Sequence, residues 1–150
     1  MSPTRKRRKP ERSRADSGLR LIPIAVAGEI RPGESVGDRL LEAMRRRRLR
    51  FQAGDILIVK HKIVSKSEGR LVDLAGITPS AETSAWAKQY GLDARVIELA
   101  LQESRAVIRR QNGVLITETP HGFLCANSGV AVPPVNGGAH ALVAPATPDR

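Results

Sequence analysis

The chain has 150 residues, of which 41% are hydrophobic, and it carries a formal net charge of +10 at pH 7. These values exclude a collagen-like, disulfide-rich or wholly disordered protein and are typical of a single globular domain. No apolar run reaches the roughly 18 residues of a transmembrane helix, and no apolar segment follows the basic N-terminus as in a secretory signal. The single cysteine, Cys125, has no partner for a disulfide within the chain, which favours a reducing compartment and predicts a cytoplasmic location.

The positive charge is concentrated in two short patches. Residues 1–20 contain eight basic and two acidic residues, and Arg45–Arg50 contains five arginines and no acid. Because the first patch is poor in apolar residues, we predict a disordered basic tail over residues 1–18 and a folded domain over residues 19–150. Both patches could bind nucleic-acid phosphates. Solvated charge is the favoured interpretation, because the few aromatic side chains do not lie near the tail.

The sequence of the first half of the domain predicts two strands and a helix. Residues 19–26 alternate loosely, and Ile56–Val59 is a continuous apolar run typical of a buried strand. Between them, Ser35 can cap a helix that continues to about Leu49. The polar segment 61–70 follows the second strand directly, and functional side chains are often found where a buried strand ends.

The sequence of the second half of the domain predicts two capped helices and several short strands. Ser80 can cap a helix that ends near Tyr90, and Asp93 can cap another that ends near Ser104. The strands are predicted at Leu71–Leu74, Val107–Ile108, Val114–Ile116 and Phe123–Ala126, with a turn at residues 111–113. Because strands and helices do not alternate strictly, we predict the α+β class, with a mixed β-sheet and packed helices.

Several short blocks of sequence follow one another in a characteristic order. They are Gly54–Val59, Lys62–Arg70, Ile77–Ser80, Leu101–Ser104 and Glu118–Val130. No single block is specific, but their order and spacing together resemble the coenzyme F-420 γ-L-glutamyl ligases over most of residues 20–148. The resemblance implies an α+β fold like the N-terminal part of that family's ligase domain, and a homodimer.

The resemblance also implies a reaction. Enzymes of this family add L-glutamate through a γ-glutamyl amide bond to the carboxylate of the deazaflavin coenzyme, and hydrolyse GTP to GDP. The expected intermediate is an acyl phosphate, and Mg²⁺ or Mn²⁺ is expected to bridge the phosphates. Phosphoryl transfer depends mainly on positioning and on neutralising charge, which lysines and backbone N–H groups can supply.

Two segments fall on the family's nucleotide-contacting positions. The residues are His61, Lys62 and Lys66, with Ser65 beside them, and Gly28, Glu29 and Ile30 in a partially matching loop. Lys66 is the strongest candidate, because a lysine can meet a phosphate as a point charge. The alternatives are a surface lysine paired with Glu68 and an ordinary strand-to-helix loop at residues 27–30. The resemblance assigns no catalytic residue.

Two features depart from the family's pattern. Ala131 stands at the position of the metal-binding aspartate, and Pro134 at that of a nucleotide-contacting asparagine. Ala131 has no side-chain oxygen for Mg²⁺, so no metal ligand is assigned. The sequence ends at Arg150, where relatives continue, which leads us to expect a ligase-like domain shortened at its C-terminus.

Three functions remain open, in order of preference. The first is a ligase or half of a ligase, which takes the deazaflavin coenzyme and L-glutamate as substrates and pairs with a separate C-terminal half. The second is a catalytically silent nucleotide-binding or scaffold relative, which lacks the metal aspartate and the C-terminal half. The third is a nucleic-acid-associated protein that acts through its basic tail.

Overall fold

The computed structural model of the chain describes residues 18–133 and 135–146. Its helices in this part of the chain are α1 (Val36–Arg46), α2 (His61–Ser67), α3 (Ala81–Tyr90) and α4 (Ala94–Gln102). The strands are β1 (Leu71–Asp73), β2 (Ala106–Gln111), β3 (Val114–Glu118), β4 (Leu124–Ala126) and β5 (His140–Leu142). The predicted tail, apart from Gly18, lies outside the described residues, as does Pro134.

The strands form two small sheets. β2, β3 and β4 make an antiparallel meander, and β1 pairs antiparallel with the distant β5, with Leu71 opposite Leu142. The α+β class is confirmed. The sequence predicted one mixed sheet, whereas every strand pair in the described part of the chain is antiparallel. Tight turns connect β2 to β3 and β3 to β4, and antiparallel pairing is the geometry that such turns allow.

The turn predicted at residues 111–113 is confirmed and connects β2 to β3. Asn112 has φ 52° and Gly113 has φ 75°, as a two-residue primed turn requires. A Cβ atom at Gly113 would lie 3.2 Å from the Cβ of Tyr90, so glycine is also needed there for close packing. The turn therefore fixes the register of the hairpin and lets it approach the end of α3.

The predicted caps of α3 and α4 are confirmed. The Ser80 hydroxyl accepts a hydrogen bond from the Thr83 N–H at 3.1 Å, and α3 ends at Gly91 in the left-handed conformation. Asp93 accepts a hydrogen bond from the Arg95 N–H at 2.9 Å and begins α4. These helices pack over one buried core. Its residues are Leu74, Ile97, Leu99, Ala100, Leu115, Val130, Ala141 and Val143.

The α4 cap gives a pH-dependent prediction. A side-chain hydrogen bond from Arg95 is the main cause that lowers the pKa of the Asp93 carboxyl. The charged cap therefore stabilises the fold above pH about 4, and this contribution is lost as the pH falls through the lowered pKa. We expect Asp93→Ala to reduce the free energy of unfolding by about 1 kcal/mol at pH 7, measured by urea denaturation.

The variant Asp93→Asn is the control for charge at this cap. An asparagine caps a helix about as well as an aspartate, so this variant should retain most of the stability at pH 7. The difference between the wild type and Asp93→Asn should shrink as the pH is lowered. A difference that stays constant from pH 7 to pH 3 would contradict a stabilising role for the charge.

Two predicted strands are wrong. Residues 19–26 and Ile56–Val59 have no assigned secondary structure, and their backbones make no hydrogen bonds to other backbone groups in the described chain. The run predicted to be buried is instead open to solvent, since Ile56 is 87% and Ile58 is 81% exposed. A strand needs a neighbour to receive its backbone groups, and the described residues supply none here.

The first helix is shorter than predicted. α1 begins after the Ser35 cap but ends at Arg46 instead of near Leu49. The chain leaves the helix at Arg48, which has φ 56°, and the Leu49 N–H then bonds to the Met44 carbonyl at 2.9 Å. This closing turn satisfies carbonyl groups that the helix end would otherwise leave unpaired. None of the helices in the described ranges is both long and apolar enough to cross a bilayer.

Candidate functional site

The predicted nucleotide-contacting lysines lie on the short helix α2, which sequence reasoning missed. α2 has seven residues, and its N-cap, Lys60, makes no capping bond through its side chain, so no local signal marks its start. One tertiary and one local hydrogen bond hold its C-terminal end in place instead. The Gly33 N–H, from a segment distant in sequence, donates to the Ser67 carbonyl at 2.7 Å, and the Arg70 N–H closes the helix end by donating to the Ser65 carbonyl at 2.8 Å.

The structure brings the two predicted site segments together. The Lys66 Nζ lies 3.6 Å from the Glu29 Oε1, which joins α2 to the loop at residues 27–33. Lys62 and Lys66 are four residues apart and therefore lie on the same face of the helix. Because the Glu29 side chain is 78% exposed, its ion pair with Lys66 is weak, and an incoming anion can replace the carboxylate.

The loop at residues 27–33 is anchored on both sides. The Arg39 guanidinium donates to the Ala27 carbonyl, and Gly28 turns the chain with φ 71°. A Cβ atom at Gly69, which follows α2, would lie 3.5 Å from Pro32. The Ile30 side chain is buried, so it fixes the loop and is not available to contact a ligand.

The remaining predicted residues of α2 differ in exposure. The side chains of His61 and Lys62 are exposed and make no hydrogen bond or ion pair with any other described residue. Ser65 is fully buried, and its hydroxyl has no hydrogen-bond partner in the described part of the chain. A buried hydroxyl without a partner costs free energy. The Ser65 hydroxyl is therefore a buried polar group of this site that the described fold leaves without a hydrogen bond.

The segment around the predicted metal position offers no cation site. Ala131 forms an antiparallel bridge with Leu142, and its N–H donates to the Leu142 carbonyl at 2.9 Å. Among the described residues there is no cluster of three or more His, Cys, Asp or Glu that could hold a metal ion. Mg²⁺ and Mn²⁺ need oxygen ligands, which these residues do not supply together.

The arginine run is partly used in contacts within the domain. Arg46 forms an ion pair with Glu42, and Arg47 donates to the Pro23 carbonyl. Exposed arginines also border an open pocket of about 590 Å³ at the end of α1, which has Phe51 on its wall. Cys125 lies half-buried in β4, and burial raises the pKa of its thiol, so the thiol stays protonated at neutral pH.

A short cationic helix held against a glycine-containing loop in an α+β domain is suited to a phosphorylated ligand. Comparison with known proteins identifies the family of this chain. Residues 25–150 match the family model described as F420-0:Gamma-glutamyl ligase, and the chain belongs to that family. The resemblance seen in the sequence is confirmed.

Similar proteins include archaeal enzymes named coenzyme F420:L-glutamate ligase. The one from Methanopyrus kandleri is 34% identical over 135 residues, which cover 88% of this chain and 50% of that relative. The one from Methanothermobacter thermautotrophicus is 33% identical over 113 residues, or 75% of this chain and 45% of that relative. The chain thus spans about half the length of these curated relatives.

Proposed function

We propose that this chain is the nucleotide-binding part of a ligase that joins L-glutamate to coenzyme F420 and consumes GTP. The observation that carries the proposal is the 3.6 Å contact between Lys66 and Glu29, which brings together the two segments that we expect to contact the nucleotide. The names of the relatives support the choice of substrates. Because the chain spans about half of these relatives, we assign the complete reaction to this chain together with the remaining half.

The proposed reaction has two balanced steps. The acceptor carboxylate of the coenzyme attacks the γ-phosphorus of GTP, which forms an acyl phosphate and releases GDP. The glutamate amine then attacks the acyl carbon, the amide bond forms, and inorganic phosphate leaves with the bonding electrons of the broken carbon–oxygen bond and takes up the proton that the amine loses. Lys62 and Lys66 would neutralise phosphate charge, with the phosphate replacing the Glu29 carboxylate at Lys66, and the anchored loop would keep the backbone of Gly28 nearby.

An equilibrium titration tests nucleotide binding by this chain directly. The chain would be titrated with a fluorescent GTP analogue, which would then be displaced with unlabelled GTP and GDP. We expect saturable binding that both nucleotides reverse. Ligation is tested separately with coenzyme F420, L-glutamate, GTP and the second half of a ligase, with mass spectrometry to detect the glutamylated coenzyme. Absence of nucleotide binding at millimolar concentration would contradict the proposal.

A second function is favoured by the segment around Ala131. The described residues there offer no carboxylate in place of the expected metal ligand. A relative of this kind would bind GTP as a scaffold without catalysing ligation. Its GTP affinity should change less than twofold when Mg²⁺ is added, and no glutamylated coenzyme should form with any second half. A strong dependence of GTP affinity on Mg²⁺ would exclude this alternative.

A further inference from the structure

The segment Ile56–Val59 is an exposed apolar surface. Its four consecutive residues are 87%, 45%, 81% and 39% exposed, so neither face of the segment is buried. Isolated exposed apolar residues are common on proteins, but a contiguous run is typical of an interaction surface. Water contact along this run has a free-energy cost that a covering partner would remove.

The backbone of this segment is also unpaired. Within the described residues, no N–H or carbonyl group of residues 56–59 takes part in a hydrogen bond to another backbone group. The sequence Ile-Leu-Ile-Val strongly favours a β-strand. The segment thus presents both the backbone groups and the apolar side chains that strand addition needs.

Both ends of the segment are fixed. On one side, the Gln52 N–H donates to the Asp55 carboxylate at 2.8 Å and closes a turn. On the other side, the chain enters α2 directly at His61. The segment is therefore held between two ordered elements, which reduces the entropy that a partner must overcome when it pairs there.

The part of the relatives that this chain does not match is the candidate for the partner that covers this surface. Residues 56–59 fall inside the family match at residues 25–150, so the relatives have a corresponding segment. The Methanopyrus kandleri ligase is about twice as long as the part matched here, since only 50% of it is covered. The unmatched half is thus a polypeptide long enough to cover this segment, and in that relative it belongs to the same chain as the matched part.

We propose that Ile56–Val59 docks a separate polypeptide equivalent to the unmatched half of the relatives, which adds a β-strand along it and covers Ile56 and Ile58. The proposal deepens the proposed function, which requires that half for the complete reaction. Docking at this place also has a consequence for the site. Val59 precedes Lys62 by three residues, so the end of the segment that the added strand would pair with lies within about 10 Å of the backbone of Lys62.

Co-purification tests the docking independently of ligation. The chain would be co-expressed with the unmatched half of the Methanopyrus kandleri ligase as a separate tagged polypeptide. We expect a stable complex, and we expect Ile58→Lys to weaken it at least tenfold. Since Ile58 is 81% exposed, this change should not disturb the fold of the chain itself. The matched control is Ile108→Lys, at an isoleucine that is 53% exposed in the paired strand β2.

Hydrogen exchange supplies the second measurement. The amides of residues 56–59 should exchange rapidly in the chain alone and become protected in the complex. Failure to co-purify, or a complex that Ile58→Lys leaves intact, overturns the proposal. Protection of these amides in a dimer of the chain alone would identify a second copy as the partner and overturn it as well. A complex with no ligation activity would instead count against the proposed function and leave the docking surface in place.

Discussion

Replacing Lys66 by alanine is expected to weaken GTP binding by the chain at least tenfold. A hydrogen bond to a charged group contributes about 1.5–3 kcal/mol, and a tenfold change in affinity corresponds to about 1.4 kcal/mol. Lys66 is held beside the loop of Gly28 and Glu29, and about one third of its side chain remains exposed to solvent. Fluorescence titration at a fixed ionic strength of about 0.15 M measures the effect, because salt screens exposed charges.

Two variants separate a specific contact from a general effect of charge. Lys88→Ala removes the same charge at an exposed position near the end of α3 and should leave GTP affinity unchanged. Glu29→Gln removes the carboxylate that competes for Lys66 and should raise the affinity about twofold to fivefold. Equal losses in Lys66→Ala and Lys88→Ala would show that the lysine acts only through net charge.

Replacing Thr117 by valine is expected to lower the free energy of unfolding by about 2–3 kcal/mol. Thr117 and Ser128 are both fully buried, and their hydroxyl oxygens lie 2.7 Å apart. The Thr117 hydroxyl also accepts a hydrogen bond from the Ser128 N–H at 2.9 Å. Valine keeps the shape of the side chain but leaves two buried polar groups of Ser128 without partners, and each costs at least about 1 kcal/mol. Urea denaturation measures the loss.

Two control variants test this prediction. One keeps a hydroxyl at position 117, and the other makes the same threonine-to-valine change at an exposed position. Thr117→Ser retains the hydrogen bonds and should lose less stability than Thr117→Val. Thr78→Val makes the same change at an exposed threonine and should change the free energy of unfolding by less than about 0.5 kcal/mol. Similar values for Thr117→Val and Thr78→Val would show that the buried pair does not stabilise the fold.

The importance of Thr117 follows from the strained turn that it holds. Asn127 and Ser128 both have φ 50°, in the left-handed region that residues other than glycine rarely adopt. Such a conformation persists where surrounding contacts stabilise it. The hydroxyl of Thr117, on the neighbouring strand β3, provides those contacts and positions the turn before Ala131.

Local patterns in the sequence were enough to predict the elements whose stabilising contacts lie within a few residues. Ser80, Gly91 and Asp93 delimit α3 and α4 because cap bonds join neighbours in the chain. The Asn112–Gly113 turn fixes the β2–β3 hairpin for the same reason. The order of short blocks was also enough to identify the family, which the comparison over residues 25–150 confirms.

The tertiary structure alone decided how distant segments meet. Leu71 pairs with Leu142 and Lys66 approaches Glu29, and no local pattern specifies either partner. Ile56–Val59 shows most clearly what local sequence cannot predict. Its composition predicted a buried strand, but in the described part of the chain it has no backbone pairing and stays exposed. A run of β-branched residues favours an extended strand, but long-range packing determines which segment pairs with it.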